Sequence, residues 1–304
     1  MRYTKVGDMQ LPAVAVGCMN VAPAAGNKLE RFVATAMDAG LNFFDHADIY
    51  GGGACETAFG NAVRALGLRR EDYFLQSKCG IVPGRMFDFS KEHILSSVDG
   101  SLRRLQTDHL DILLLHRPDA LMQPEEVAEA FDALLSSGKV RAFGVSNMHP
   151  FQLQLLSEAL PVPLCANQLQ FSPAHAGMIS CGTEVNMLTD GGISRDGYVL
   201  DYCRLHGITV QAWSPFRYGF FEGVYLDNPA YEKLNGVLAR LAEKYGTDKS
   251  AIVAAWILRY PAKMQVVTGT VNAEHLLATA KGADVTLTRE KWYEVYLSAG
   301  HILP

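Results

Sequence analysis

The sequence has no apolar run of membrane-spanning length and no block of like charges. A transmembrane helix needs about 18 or more apolar residues in succession, whereas the apolar residues 11–19 are few and are interrupted by Pro12 and Gly17. The 27 Lys and Arg residues are outnumbered by 32 Asp and Glu residues, so the net charge is −5 at pH 7. This balance gives no support for binding to nucleic acid or to an anionic membrane. We therefore predict neither kind of partner.

Paired or metal-binding cysteines are also lacking. The six cysteines are scattered without a C-x-x-C pair, and neither they nor the nine histidines show the spacing of a zinc site. We predict no metal, and thiols that stay unpaired in a reducing compartment. Residues 22–24 read Ala-Pro-Ala, as some signal-peptide cleavage sites do, but Asp8 and Gln10 precede the short apolar run. We expect a cytoplasmic protein.

The chain is long enough for one large domain or two smaller ones. It has 304 residues, of which 49% are hydrophobic and 19% are charged, a composition typical of a globular enzyme. No linker, low-complexity tract or solenoid repeat divides it. We predict a single domain over residues 1–304.

Strand-like and helix-like segments alternate along the chain. Residues 3–6 and 9–11 flank a glycine-containing turn and predict an N-terminal β-hairpin. Eight mostly apolar segments then predict buried parallel strands, at residues 13–17, 42–45, 73–77, 112–116, 142–145, 164–167, 209–213 and 265–268. Amphipathic segments such as 92–105 and 125–135 lie between them. The pattern predicts an α/β fold, a (β/α)8 TIM barrel, with extra C-terminal helices at 229–245, 249–260 and 288–300.

A doubly wound sheet is the alternative architecture. It usually carries a glycine-rich dinucleotide fingerprint after its first strand. Residues 13–17 are followed by Cys-Met-Asn-Val-Ala-Pro, and the Gly-Gly-Gly run at 51–53 does not match the fingerprint either. The barrel is therefore favoured.

Four polar residues lie at or just after the ends of the second, third and fourth predicted strands: Asp45, Tyr50, Lys78 and His116. All strands of a barrel direct their C-terminal ends to one face, so these side chains can meet there. A lysine ammonium favours the phenolate and should lower the pKa of Tyr50. Asp45 can hold that lysine, and His116 can donate a hydrogen bond to a carbonyl oxygen. Alone, each residue has an ordinary structural explanation, but together they suit carbonyl reduction.

These segments resemble the aldo-keto reductase family over nearly the whole chain. The matching stretches, in order, are Phe44-Asp-His-Ala-Asp-Ile-Tyr-Gly51 with Glu56, Ser77-Lys78, Leu115-His-Arg-Pro118, Gly144-Val-Ser-Asn147, Asn167-Gln168 and Trp213-Ser-Pro215. The resemblance implies a barrel that binds NADPH in extended form and reduces aldehydes and ketones. It places the catalytic tetrad at Asp45, Tyr50, Lys78 and His116.

The same resemblance implies a set of cofactor-binding residues. Ser146, Asn147 and Gln168 match the positions that hold the nicotinamide carboxamide. Trp213 stands at the position that stacks on the nicotinamide ring, where a tryptophan is similar to the branch of bacterial reductases and potassium-channel β subunits. The loop around the pyrophosphate matches Ser214, Pro215, Phe216 and Gly219, and the position near the ribose matches Gly17 and Cys18.

The segment that would hold the adenosine 2′-phosphate departs from the family pattern. The matching residues are Gly269, Thr270, Asn272, His275 and Thr279, where many members have Lys or Arg and end with Glu-Asn. A phosphate dianion prefers cationic donors, although a helix N-terminus also attracts it. NADPH is the expected cofactor, with NADH possible.

Three interpretations follow. The first is an NAD(P)H-dependent reductase of small carbonyl compounds with Tyr50 as general acid. The second is a cofactor-binding barrel that acts as an interaction or redox-sensing partner, and the third is a Schiff-base aldolase using Lys78. Met19, Phe171, Phe220 and Phe221 predict an apolar pocket wall, which favours small aromatic or aliphatic carbonyls or a sugar-derived aldehyde. No oligomer is indicated.

Overall fold

The computed structural model describes residues 2–304, and strands and helices alternate through most of its length. The strands are β1 (Tyr3–Val6), β2 (Met9–Pro12), β3 (Val14–Gly17), β4 (Phe43–Asp45), β5 (Phe74–Cys79), β6 (Ile81–Val82), β7 (Met86–Phe87), β8 (Leu110–Leu115), β9 (Val140–Ser146), β10 (Leu164–Gln170), β11 (Thr209–Trp213), β12 (Arg217–Tyr218), β13 (Gly223–Val224) and β14 (Met264–Thr268).

The helices are α1 (Asn27–Asp38), α2 (Ala54–Ala65), α3 (Lys91–Leu105), α4 (Pro124–Ser136), α5 (Pro150–Ala159), α6 (Gly177–Thr183), α7 (Val199–Leu205), α8 (Glu232–Tyr245), α9 (Lys249–Leu258), α10 (Ala273–Ala280) and α11 (Arg289–Ser298). The predicted C-terminal helices correspond to α8, α9 and α11. Within residues 2–304, no helix combines the length and the apolar character that crossing a membrane requires.

Eight strands close into a parallel barrel, in the order β10-β11-β14-β3-β4-β5-β8-β9. The (β/α)8 prediction is confirmed, and the doubly wound alternative is excluded because the sheet has no open edge. The strands are apolar because both of their faces are covered: all six residues of β8 are buried. Side chains on one face contact the helices, and those on the other fill the barrel interior.

The predicted hairpin closes the N-terminal end of the barrel. Strands β1 and β2 pair antiparallel, and Val6 and Leu11 join an interior cluster with Phe43, Ile112 and Leu114. The C-terminal end of the barrel is covered instead by connecting segments, which include the short hairpins β6–β7 and β12–β13. Any deep cavity therefore has to open at the C-terminal end.

Two strand boundaries differ from the prediction and affect the site. Strand β5 extends through Lys78 and Cys79, which pair with Leu114 and Leu115 of β8. Lys78 is therefore held inside a ladder of backbone hydrogen bonds rather than in a loop. His116 falls one residue beyond β8, and its backbone N–H still donates to the carbonyl of Cys79 at 2.9 Å.

Candidate active site

A cavity of about 480 Å³ opens at the C-terminal end of the barrel. The residues predicted from the sequence that line it are Gly17, Met19, Asp45, Tyr50, His116, Ser146, Asn147, Gln168, Trp213, Ser214, Pro215, Phe216, Phe220, Phe221, Gly269 and Thr270. A larger groove of about 800 Å³ runs beside α2 and α3, but none of the predicted site residues lines it. The smaller cavity is therefore the candidate active site, because the predicted site residues line it and not the larger groove.

Lys78 and Asp45 form a buried ion pair at the base of this cavity. The Lys78 ammonium donates to both carboxylate oxygens of Asp45 at 2.8 Å, to the carbonyl oxygen of His46 at 2.7 Å and to the Tyr50 hydroxyl at 3.1 Å. Burial alone would lower the pKa of Lys78, but the charge of Asp45 and the neighbouring Tyr50 raise it above its ordinary value. Lys78 is therefore an ammonium at neutral pH.

Asp45 is held by a second set of donors that the sequence analysis missed. The side-chain amides of Gln76 and Gln168 both donate to its Oδ1, at 2.5 and 3.0 Å. Gln211 links these two amides and continues the chain to Gln265. All four glutamines are buried. A glutamine inside each of four buried barrel strands is the sequence signal that could have revealed this network.

The Tyr50 hydroxyl is directed to Lys78 by an unusual turn after β4. Tyr50 begins a 3-10 segment in which Gly51, Gly52 and Gly53 have φ values of 58°, 62° and 91°. L side chains rarely adopt this left-handed backbone, so the glycine run allows the chain to turn sharply into α2. The glycines thus have a structural role beside the site and form no dinucleotide fingerprint.

The sequence analysis predicted that Lys78 lowers the pKa of Tyr50, but in the folded chain the net shift is upward. Burial raises the pKa of the phenol and outweighs the opposing effect of Lys78. The hydroxyl is therefore protonated at neutral pH, which is the state that a proton donor requires. The ammonium remains 3.1 Å away, where it can stabilise the phenolate left after a proton transfer.

His116 is a neutral imidazole. Burial lowers its pKa well below the ordinary value, and the charges of Lys78 and Arg117 lower it further. Its ring meets that of Tyr50 edge to face at 5.8 Å, and its Nδ1 has no hydrogen-bond partner among residues 2–304. A neutral imidazole can donate one N–H to a carbonyl oxygen but is a poor source of a proton. This favours Tyr50 as the acid.

The predicted carboxamide-binding residues are connected to one another. The Ser146 hydroxyl donates to the Gln168 carbonyl at 2.9 Å, and the Asn147 amide donates to the Ser146 oxygen at 2.7 Å. The Trp213 indole N–H donates to the Asn147 side-chain oxygen at 3.2 Å. Its ring stacks on Phe221 at 5.7 Å. The indole is therefore anchored by its nitrogen and borders the cavity with its ring.

The predicted adenosine segment forms a capped helix start. Asn272 is the N-cap of α10, and its side-chain oxygen accepts from the N–H groups of Glu274 and His275. The Thr270 hydroxyl oxygen accepts from the Asn272 N–H at 3.0 Å. No Lys or Arg occurs between residues 269 and 279. The segment offers hydroxyl, amide and imidazole groups to a 2′-phosphate, but no permanent cation.

Five predicted cofactor residues do not line the cavity: Cys18, Gly219, Asn272, His275 and Thr279. Cys18 and Thr279 are each only 1% exposed. The Thr279 hydroxyl is already engaged, since it donates to the His275 carbonyl at 2.8 Å. Gly219 has a φ of 56°, and its carbonyl accepts from the Gln170 amide at 2.7 Å. The structure thus gives Cys18 and Thr279 buried positions behind the surface of the site.

One predicted wall residue was wrong, and two charged ones were missed. Phe171 is fully buried and packs on Trp256 instead of lining the cavity, because it follows β10 on the helix-facing side of the barrel. Arg117 and Arg217 do line the cavity. A cation directly after the His116 position was the available signal for Arg117.

The profile of the Aldo/keto reductase family matches residues 13–296. Oxidoreductase YdhF of Escherichia coli strain K12 is 35% identical over 92% of this chain and 90% of the relative. A 6-dehydroglucose reductase of Agrobacterium fabrum is 37% identical over 86% and 84%. The crystal structure of an aldo-keto reductase from Klebsiella pneumoniae in complex with NADPH superposes with a TM-score of 0.75, at 24% identity, over 97% of this chain and 93% of that one.

The chain therefore belongs to the aldo/keto reductase family of oxidoreductases. The predicted likeness to one branch is confirmed as well. A protein of Schizosaccharomyces pombe named as a voltage-gated potassium channel subunit β is 26% identical over 82% of this chain and 77% of the relative. Bacterial oxidoreductases and channel subunits are thus both among its relatives.

Proposed function

We propose that this protein is an NAD(P)H-dependent reductase that converts aldehydes or ketones to alcohols, with residues 1–304 acting as one catalytic domain. The observation that carries the proposal is the buried Lys78–Asp45 pair, whose ammonium lies 3.1 Å from the Tyr50 hydroxyl at the base of a cavity. All six cysteines are unpaired and buried, which suits a reducing compartment such as the cytoplasm.

Each residue of the tetrad then has a separate task. A nicotinamide held at Ser146, Asn147, Gln168 and Trp213 would supply the hydride for the carbonyl carbon. Tyr50 gives its proton to the carbonyl oxygen, which completes the alcohol, and the resulting phenolate is stabilised by Lys78. Asp45 keeps Lys78 charged and in place, while the neutral His116 donates a hydrogen bond that orients the oxygen. The phenol recovers its proton from solvent before the next turnover.

The nicotinamide side of the cavity fits a carboxamide. The Gln168 amide nitrogen donates to Asp45 and to Gln211, whereas its side-chain oxygen accepts no hydrogen bond from residues 2–304. That oxygen is the group that a carboxamide N–H needs. Ser146 and Asn147 would complete the amide recognition, and Trp213 would cover the ring. Gln168 would thereby connect the bound cofactor to Asp45.

NADPH is our proposed cofactor, with NADH as the competitor. The solved K. pneumoniae neighbour holds NADPH, but residues 269–279 of this chain lack Lys and Arg. Fluorescence titration with each nucleotide measures the two affinities, because Trp213 lines the cavity while Trp256 and Trp292 stack on each other elsewhere. We expect saturable quenching, which a Trp213→Phe variant should reduce. Absence of quenching by both nucleotides would contradict the proposal.

For the substrate, we propose a small carbonyl compound and include sugar-derived aldehydes. The A. fabrum relative is named as a 6-dehydroglucose reductase. Phe220, Phe221 and Met19 provide apolar and aromatic surface beside the candidate acid. Such surface binds aromatic carbonyls and the apolar face of a sugar. A panel of aldehydes and ketones with NADPH would rank them.

The decisive test of the mechanism is Tyr50→Phe. The variant should bind NADPH like the wild type, because it loses only a hydroxyl group that is directed toward Lys78. Its turnover should fall by about 100-fold or more, because the proton donor is missing. Tyr3→Phe is the matched control, since Tyr3 lies on the N-terminal hairpin and is 52% exposed. Wild-type turnover in Tyr50→Phe would refute the assigned role.

The two other interpretations make different predictions. A partner-binding role, suggested by the channel-subunit relative, would give nucleotide binding without turnover of any carbonyl, together with recovery of a stoichiometric partner. A Schiff-base aldolase needs a neutral Lys78 amine, whereas Asp45 raises the pKa of this lysine. Borohydride trapping with a carbonyl substrate would detect the covalent adduct, which we expect to be absent.

A further inference from the structure

Arg117 is a cation that lines the cavity beside His116 and has no anionic partner among the described residues. It follows His116 directly, and its guanidinium lies 5.7 Å from the ring centre of Trp213 and 5.5 Å from that of Phe220. Within residues 2–304 it forms no ion pair, and its side chain donates no hydrogen bond. Aromatic faces stabilise a guanidinium but leave its N–H groups unsatisfied.

The other charged groups of the cavity cannot neutralise Arg117. Asp45 is the only carboxylate among the described lining residues, and it is committed to Lys78. Arg217 adds a second cation instead of an anion. Burial lowers the pKa of Arg117, as expected for a charge that has lost water without gaining a partner. The guanidinium stays charged, so an anionic ligand would relieve this cost.

The two arginines come from different strand ends and lie over different aromatic rings of the cavity. Arg217 begins β12, next to the residues that the family resemblance matches to the pyrophosphate, and its guanidinium lies 5.4 Å from the ring centre of Phe221. Arg117 follows β8 and adjoins His116, which orients the substrate oxygen in the proposed function. A diphosphate bound at the loop that begins with Ser214 would be a counterion for Arg217, whereas none of the described residues that line the cavity offers a free carboxylate to Arg117.

We propose that Arg117 binds a carboxylate carried by the carbonyl substrate, so that oxo acids are reduced in preference to neutral aldehydes and ketones. The inference rests on the proposed function, because it uses the position of His116 to define the substrate side. A guanidinium pairs with a carboxylate through two parallel N–H···O hydrogen bonds, which also fixes the direction of the bound molecule. The carbonyl end would then be presented to Tyr50 and His116.

The test compares acids with their methyl esters, which have the same carbonyl but no charge. Succinic semialdehyde is paired with methyl 4-oxobutanoate, and 4-carboxybenzaldehyde with methyl 4-formylbenzoate, so that one flexible and one rigid spacing are covered. We expect kcat/KM to favour at least one acid over its ester. Arg117→Met should lower kcat/KM for that acid by roughly 10- to 100-fold, the usual range for hydrogen bonds to a charged group.

Two further variants separate charge from general damage. Arg117→Lys should recover part of the preference for the acid, because lysine keeps the positive charge but cannot form two parallel hydrogen bonds to a carboxylate. Arg217→Met should weaken NADPH binding and leave the acid-to-ester ratio unchanged. If the wild type treats acids and esters alike, or if Arg117→Met lowers both equally, the inference is wrong.

A binding measurement distinguishes failure of this inference from failure of the proposed function. The alcohol 4-(hydroxymethyl)benzoate and its methyl ester are titrated calorimetrically into the protein, with and without NADPH. Binding of the acid that is lost in Arg117→Met supports the anion site even if no carbonyl is reduced. Equal binding of acid and ester refutes it even if turnover is fast.

Discussion

Replacing Lys78 by Met tests whether the tetrad is held together by charge. Methionine keeps most of the length of the lysine side chain and removes its ammonium. In the structure that ammonium satisfies both oxygens of Asp45 at 2.8 Å, and the Lys78 side chain is fully buried. Its removal therefore leaves a carboxylate without a counterion inside the barrel.

The magnitude follows from this geometry. Breaking a buried ion pair by removing one partner typically costs about 3–5 kcal/mol. The amides of Gln76 and Gln168 still donate to Asp45, which places the cost toward the lower end. The entropy of unfolding is roughly 2.1 cal/mol/K per residue, so for 304 residues each kcal/mol corresponds to roughly 1.6 °C of Tm. At about 3–4 kcal/mol, we expect Lys78→Met to melt roughly 5–6 °C below the wild type.

The assay is thermal unfolding of four proteins: wild type, Lys78→Met, Asp45→Asn and the double variant. Asn at position 45 keeps the shape of the side chain and removes its charge. The double variant should therefore recover part of the stability that Lys78→Met loses, because no buried charge then lacks a partner. Carbonyl reduction should be lost in Lys78→Met and in the double variant, because both lack the ammonium that stabilises the Tyr50 phenolate. It should be reduced in Asp45→Asn, because Lys78 then lacks the carboxylate that keeps it charged and in place.

Two results would refute this reasoning. If Lys78→Met melts with the wild type, the pair is not a stabilising element at all. If the double variant melts at the same temperature as Lys78→Met, the loss arises from packing rather than from an orphaned charge. Either result would also weaken the case that Asp45 acts by holding Lys78.

Two further predictions concern the surroundings of the tetrad. Burial lowers the pKa of His46 from 6.5 to about 3, so the free energy of unfolding should fall as the pH drops from 6.5 to 3. Burial raises the pKa of Asp48 from 3.8 to about 7, so the free energy of unfolding should fall as the pH rises from 3.8 to 7. The two effects oppose each other between about pH 4 and 6.5, so Asp48→Asn should lose stability more steeply than the wild type on acidification in denaturant titrations; parallel profiles would contradict this. A Cβ on Gly17 would lie 2.0 Å from the Thr268 carbonyl oxygen, whereas one on Gly269 would meet nothing within 4 Å. Gly17→Ala should therefore cost about 1–3 kcal/mol and weaken nucleotide binding, while Gly269→Ala should match the wild type in thermal melting. Equal melting of the two variants would rule out the close approach as the cause.

Local sequence pattern was sufficient for the architecture. Apolar runs of strand length alternate with amphipathic segments, and this periodicity survives in any environment because it reflects which faces are buried. The hairpin, the eight barrel strands and the C-terminal helices were therefore predicted within a few residues. The same regularity brought Asp45, Tyr50 and His116 to one cavity, because parallel strands in a barrel end on one face.

The orientation of Phe171 and the pKa of Tyr50 depend on tertiary structure and could not be predicted from local sequence pattern. Whether Phe171 faces the cavity or the helices depends on which neighbours pack against it, and Trp256 comes from a helix more than 80 residues later. The pKa of Tyr50 is a difference between burial and the charge of Lys78, and burial is a property of the assembled barrel. A sequence shows which groups are present, but not how much water each one loses.

The sequence by itself determined the fold class and the family, and it predicted the four residues of the proposed tetrad. Only the folded chain decided their surroundings: the glutamine network beneath Asp45, the protonated state of Tyr50, and the Arg117 guanidinium that has no ion pair within residues 2–304. The physical reason is the sequence separation of the residues that interact. Strand and helix patterns are set by residues a few positions apart, whereas hydrogen bonds such as that between Gln76 and Gln211 join residues 135 positions apart. Desolvation and charge pairing exist only once such distant residues have been brought into contact.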